Sequence, residues 1–404
     1  MKVSINSIYL ILLFYIAPFL DAISGYLVLS ETITEGGAGS PSQIFRLIVL
    51  VISFKMILKD KIFFNIAIFL ITYIVIIESF FFIVHNNLFG YILGLVYGSK
   101  LFYLVLIYLA LRVLLKSNII SFLILLEYIR NYILLTSIIL TISFISGLGF
   151  YTYGEGTFGF KGFYAAGNGL GIFQGIGLLV SIYYWKVTRE KYALISSLII
   201  LFSTVIIGSK TALLLSTLGF ISIIFLQKSV LIKALVVFII IFLFVTYMDQ
   251  FVDTFETVFD VIIFRFERSE SVLSWILSNR DNYFIDAVNT LSVDGFLILR
   301  IFFGFGAFIS FRDPKGSYQG IDILESDFLD IFFMYGSIFL FFYLLFIISH
   351  LYMAIIKKKF FIALMFSLLM THSLMAGHIV FNGMSGILVP LLSLLIIYSK
   401  KGIK

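Results

Sequence analysis

The sequence predicts an all-α polytopic membrane protein, with about twelve transmembrane helices and one large helical loop on the outer face. Composition predicts it first: of 404 residues, 61% are hydrophobic and 12% charged. A soluble domain carries about 25% charged residues, so this chain lacks the polar side chains to coat such a core in water. The 48 Phe and 23 Tyr exclude disorder, whose composition is polar and poor in aromatics. The third observation is length: the apolar runs match the roughly 20 residues that cross a hydrocarbon core about 30 Å thick.

On that ruler, spans lie near 8–29, 43–58, 62–83, 91–114, 128–149, 168–185, 192–208, 211–227, 230–248, 327–349, 360–378 and 380–398. Residues 1–248 hold the first nine spans on short loops, 249–326 form the large loop, and 327–404 carry the last three. Ser117–Glu127 reads as an interfacial stretch leading into the fifth span. The first span follows Lys2 but is too long for a signal peptide and lacks a clean small-residue cleavage site, so it reads as uncleaved.

Charge sets the orientation. Lys55, Lys59, Lys61, Arg112, Lys116, Lys186, Arg189, Lys191, Lys228, Lys233, Lys357, Lys358, Lys359, Lys400, Lys401 and Lys404 all fall on one side of the alternating spans. Short cytoplasmic loops are enriched in Lys and Arg, so that side, with both termini, is expected in the cytoplasm. The same rule accounts for the net charge of +6 without nucleic acid. No Cys is present, which excludes disulfide scaffolds, thiolate metal sites and thiol catalysis. His372 and His378 are not at the i, i+4 spacing of a helical metal pair. No metal or other cofactor is expected.

The outer loop of 78 residues is far longer than an ordinary connection, and such loops tend to be functional. Phe251, Phe255, Val258, Phe259, Ile262, Ile263 and Phe266 recur at helical spacing, with Asp253, Glu256 and Asp260 opposite. A second helix is expected to start at Ser278 or Asn279, and Phe296–Phe303 to form a short interfacial element ending in Gly304-Phe305-Gly306. Five of the nine Arg lie here (Arg265, Arg268, Arg280, Arg300 and Arg312), against one of nineteen Lys, Lys315. Orientation alone would keep both types inside. Arg offers a planar fork that grips carboxylate or phosphate bidentately, so the cluster suits an anionic lipid headgroup, above all a diphosphate. The loop's twelve acidic residues compete, and surface pairs with them are worth roughly 0–1 kcal/mol. Arg280, at the expected helix start, is the leading candidate; Arg265, Arg268 and Arg300 stand equally between binding and pairing.

Smaller constellations share the outer face. Tyr151–Tyr164 alternates aromatics with Gly and includes Glu155 and Lys161; it suits a sugar-stacking surface or an interfacial aromatic hairpin. Gly208-Ser-Lys-Thr211 is not a nucleotide loop, since an apolar span precedes it and the turn is expected outside, where ATP is absent; Lys210 meets an anionic ligand or snorkels. Asp21, Glu78 and Lys100 fall within apolar spans, where ionisable groups are costly and functional by default; Glu127, at the edge of the fifth, is functional or only reaches the cytoplasmic interface beside Arg130. Glu325-Ser-Asp327 opens the tenth span, as helix caps or as a site for a general base. His378 lies at the outer turn between the last two spans.

These pieces, in this order, resemble the O-antigen polymerase family within the O-antigen polymerase/ligase superfamily. The resemblance rests on Pro18-Phe-Leu-Asp21 with Gly25, Gly167-Asn168, Gly208-Ser-Lys-Thr211, Ser278-Asn-Arg280, Gly304-Phe-Gly306, Glu325-Ser-Asp-Phe-Leu-Asp330 with Tyr335-Gly336, and Gly377-His378. It implies a metal-independent inverting glycosyltransferase of the bacterial inner membrane that joins undecaprenyl-diphosphate-linked oligosaccharides at the periplasmic face, working with a chain-length regulator protein. Arg280 with Arg265, Arg268, Arg300 and Lys210 would then hold the diphosphate. Asp327, Glu325 or His378 would take the acceptor proton, and Asp21, Lys161, Tyr164 and Asn168 would line the glycan site. Ligases of the superfamily have a His-Asn pair where this chain has Glu325-Ser326-Asp327, which favours polymerase over ligase. A ligase would leave the lipid-linked ladder intact in a deletion strain, whereas loss of a polymerase leaves single repeat units. A lipid-linked oligosaccharide flippase is the non-enzymatic alternative; the lack of internal repeats counts against it.

Overall fold

The computed structural model describes residues 4–33, 39–152, 159–227, 233, 280–291, 295–308 and 323–399. They are mostly helical, and six helices are long and apolar enough to cross a membrane: Ile5–Leu29 (α1), Lys61–His85 (α3), Leu88–Lys116 (α4), Phe122–Ile145 (α5), Gly167–Thr188 (α6) and Asp327–Ile356 (α11). Shorter helices complete the bundle: Pro41–Ile57 (α2), Lys191–Ile207 (α7), Lys210–Leu226 (α8), Arg280–Thr290 (α9), Leu297–Phe303 (α10), Phe360–Met375 (α12) and Gly383–Tyr398 (α13). The expected span at 230–248 lies outside the described residues apart from Lys233, as do the periodic segment 251–266, Glu155, Arg312 and Lys315.

Sequence-local signals set most helix ends. Ser40, Asp60, Asn87, Ser121 and Ser209 each cap the helix that follows, their side-chain oxygens accepting a backbone N–H. Such caps satisfy donors that the first helical turn leaves unpaired. The cap at Ser121 corrects the fifth span: the helix begins at Phe122, not 128, and stops at Ile145 where Gly147 takes φ +68°. Helix α12 likewise ends at Met375, and His378 lies in the connecting turn at φ +61°.

Helix α6 is the axis of the bundle. Every residue from Gly169 to Trp185 is buried, and it packs against α5, α7 and α8. Gly175 meets Leu215 and Gly177 meets Ile133 so closely that a methyl group at either would overlap them. Small residues let apolar helices approach where lipid gives no hydrophobic drive. The aromatic-glycine segment forms a short antiparallel hairpin, Phe150–Tyr151 (β1) with Phe160–Gly162 (β2).

The lysine-rich ends meet. Lys116 donates to Asp60 at 3.1 Å, a bond that holds the Asp60 carboxyl below its ordinary range. Lys357 donates to Ile397 O and Lys359 to Ile396 O, each at 2.9 Å, with a further bond from Lys359 to Ser399 O.

Candidate functional site

At the opposite end, polar groups from distant parts of the chain converge. In α1, residues Leu12–Ile16 form a π-helical turn just ahead of Pro18. Proline has no N–H to give back along the helix, and such turns absorb the mismatch. Asp21 follows one turn later. Helix α2 starts with Pro41 behind the Ser40 cap, which puts Arg46 at the same depth. Ser42 N donates to Ser24 Oγ at 2.7 Å, sewing the two helices together beside the pair. Arg46 Nη2 then reaches Asp21 Oδ1 at 2.5 Å, the two side chains 18% and 10% exposed.

Other elements close around this ion pair. Tyr132 of α5 and Tyr103 of α4, both buried, lie near the pair. Tyr164, buried behind the hairpin, donates to Pro18 O at 3.5 Å. Gly383, first residue of α13, lies flat against Arg46: a Cβ there would stand 2.1 Å from the guanidinium carbon. Asn382 caps α13 through Met384 N at 3.0 Å and Ser385 N at 3.3 Å. Its amide touches Gly169 at the start of α6, next to the exposed Asn168.

The turn before α13 carries His378. Ser385 Oγ donates to His378 O at 2.6 Å. The next N–H, of Ile379, donates to Asp327 Oδ2 at 3.1 Å, an oxygen that also accepts from Ser373 Oγ at 2.7 Å. Gly377 packs on the backbone of Glu325 and Ser326. Asp327, 1% exposed, thus ties the head of α11 to the turn that presents His378. Its Oδ2 holds two structural donors, and the half-buried His378 lies in the turn it ties down.

The structure therefore brings Asp21, Tyr164, Asn168, Glu325, Asp327 and His378 to one end of the bundle. Lys161, whose Nζ donates to Ala165 O at 3.1 Å, and the exposed Lys210 lie at elements of the same end. Arg300 is placed differently from the expectation of a ligand-facing fork. It is 1% exposed, its guanidinium 5.2 Å from the centre of the Phe80 ring and 4.4 Å from that of Phe305. Arg280 opens α9; its side chain, and Arg265 and Arg268 entirely, lie outside the described residues. Among the described residues no cluster of His, Asp and Glu could hold a metal ion.

Arg46 is the residue that sequence reasoning missed. It sits near the outer start of an expected span, where the positive-inside rule disfavours a cation, and that misplacement is the signal that could have found it. No protein-family profile, curated protein or solved structure matches this chain.

Proposed function

We propose that this protein is a membrane glycosyltransferase that joins lipid-diphosphate-linked glycans at its outer face, in the manner of an O-antigen polymerase. The observation that carries the reading is the Asp21–Arg46 pair, set at the mouth where α1, α2, α6, α13 and the His378 turn meet. A guanidinium has five N–H donors, so one bond to Asp21 orients the fork without exhausting it. In the proposed reaction the acceptor hydroxyl attacks the anomeric carbon of the donor glycan. The bond from that carbon to the diphosphate breaks, the lipid diphosphate leaves with the bonding electrons, and the hydroxyl proton passes to the His378 imidazole. Arg46, with Arg280 from the loop, offsets the charge that builds on the leaving group. Asp21 and the tyrosines around it hold Arg46 in place before substrate arrives, and such preorganised donors lose little when charge develops.

A transporter would use the break that α11 contains at Gly336 to expose backbone carbonyls to its cargo. Here those carbonyls accept protein donors: Phe333 O from Phe305 N at 2.9 Å, Met334 O from Gly306 N at 3.0 Å, and Tyr335 O from Tyr73 at 2.6 Å. That occupancy favours the enzyme.

The test is reconstitution. Purified protein in liposomes with undecaprenyl-diphosphate-linked repeat units is expected to form new glycosidic bonds and release undecaprenyl diphosphate. Losing one preorganised donor typically removes about 2.7–4 kcal/mol of transition-state stabilisation. Arg46→Ala is therefore expected to cut turnover about 100- to 1,000-fold at equal protein level. Full activity in that variant, or translocation of the lipid without bond formation by the wild type, overturns the reading.

A further inference from the structure

Glu78 lies in the outer part of α3, fully buried at 0% exposure. A carboxyl group at membrane depth is expensive unless it is satisfied. Its Oε1 accepts from Ala307 N at 2.9 Å and from the Tyr335 hydroxyl at 3.3 Å. Its Oε2 has no hydrogen-bond partner among the described residues and fits against two glycines. A Cβ on Gly94 would fall 2.1 Å from that oxygen and one on Gly306 2.9 Å from it. The side chain is built into a socket.

What the socket holds is the strap that follows α10. Gly304, Phe305, Gly306 and Ala307 run alongside α11 where it breaks. Gly336 there takes φ 76° and ψ 174°, a conformation open almost only to glycine. The break strips Phe333, Met334 and Tyr335 of helical partners, and the strap and Tyr73 supply replacements. The fit is reciprocal: a Cβ on Gly304 would meet Met334 O at 2.3 Å, and one on Gly336 would meet Phe302 O at 2.1 Å. Arg300 closes the assembly from above, packed between Phe80 and Phe305 and donating to Gly304 O at 3.4 Å.

Non-helical backbone survives at membrane depth only where protein satisfies it. Glu78 is the one acidic side chain among the described residues that bridges α3, the strap and α11. We propose that Glu78 is a positioning residue: it clamps the Gly304–Ala307 strap into the break of α11 and so fixes the outer half-helix that begins at Asp327 beside the His378 turn. Its effect on turnover rests on the glycosyl-transfer reading above; its effect on the strap does not.

The experiment uses the cysteine-free chain, in which Ala307→Cys, at a site of 0% exposure, is a single thiol reporter. In the full-length protein in liposomes, Glu78→Leu is expected to raise the rate of maleimide labelling at Ala307→Cys at least tenfold. Glu78→Gln, which keeps the Oε1 acceptor and the side-chain size, is expected to stay within about threefold of the parent. In lipid-linked repeat-unit coupling without the reporter, Glu78→Leu is expected to lower kcat at least tenfold with KM within about threefold. Glu78→Gln is expected to recover at least a third of that kcat. Unchanged labelling in Glu78→Leu, or equal labelling in the Leu and Gln variants, overturns the clamp. Increased labelling with no coupling by the wild type upholds the clamp and defeats the glycosyl-transfer reading. Coupling by the wild type with kcat untouched in Glu78→Leu leaves the enzyme standing and overturns the positioning role.

Discussion

Asp21 and Arg46 lie far apart in sequence, and only folding makes them neighbours. Removing one member of a well-buried pair strands the other and costs about 3–5 kcal/mol; with Arg46 18% exposed, the low end applies. Asp327 poses a different question, because its carboxylate oxygen already receives Ser373 and Ile379. An Asn there sets an NH2 donor against donors or leaves a buried group unpaired, at about 1–3 kcal/mol. Asp327→Asn is therefore expected to lower the detergent melting temperature and to slow coupling, with Ser373→Ala doing less of both; melting curves and turnover of the two variants check this. A variant with wild-type stability and no turnover would point to Asp327 as the base. Asp21, Glu78 and Asp327 were legible in the sequence because a charge inside or at the head of an apolar run has no bland surface reading. Their partners were not. Ser373 and Ala307 sit in positions that local spacing leaves ordinary, Arg46 shows only as a cation misplaced at the outer start of a span, and a pairing across dozens of residues leaves no periodic trace.

Helix positions were legible where a capping side chain met an apolar run, as at Ser40, Asn87 and Ser209, though not at Ser121, and less so where a turn required φ above zero at a non-glycine. His378 and Glu325 are such residues, at φ 61° and 57°, and no propensity announces them. The break in α11 was hidden in the same way: Tyr335-Gly336 reads as part of one apolar run, and a lone glycine is tolerated in many helices. At its other end α11 stops against Lys357–Lys359, where two ammonium groups reach the last carbonyls of α13. Cations are favoured at a helix C-terminus, yet burial, with Lys357 beside it, draws Lys359 down to about 8. The unfolded chain then binds more protons than the folded one between about 8 and the ordinary value of 10.5. The contribution of Lys359 to stability accordingly grows as pH rises through that window and is lost as pH falls through 8. The melting temperature of the wild type relative to Lys359→Met is expected to rise from pH 7.5 to pH 9.5; an unchanged difference contradicts the shift.

Most of the described lysines gather at one end of the bundle, while Lys161 and Lys210 lie at the other. Lys55, Lys59, Lys61, Lys116 and Lys357–Lys359 crowd the end where Asp60 and the tail of α13 accept them, whereas Asp21, Arg46, Glu325, Asp327 and His378 gather at the other. Lysine at short loops orients a membrane protein by resisting translocation, and this segregation was readable from the sequence before any helix was placed. Arginine obeys the rule less strictly here because its role is local: Arg46 is held by Asp21, and Arg300 by two aromatic rings and a carbonyl. The physical expectation is that the lysine end faces the cytoplasm and that α9 and the His378 turn face outward. The absence of Cys makes this measurable with single substitutions at exposed positions. Asn289→Cys on α9 is expected to react with a membrane-impermeant maleimide in spheroplasts, and Lys358→Cys only after the membrane is opened. Both side chains are exposed, so neither substitution should disturb folding. The reverse labelling pattern would put Arg46 and His378 in the cytoplasm, and a lipid-linked glycan presented at the outer leaflet could then never meet them.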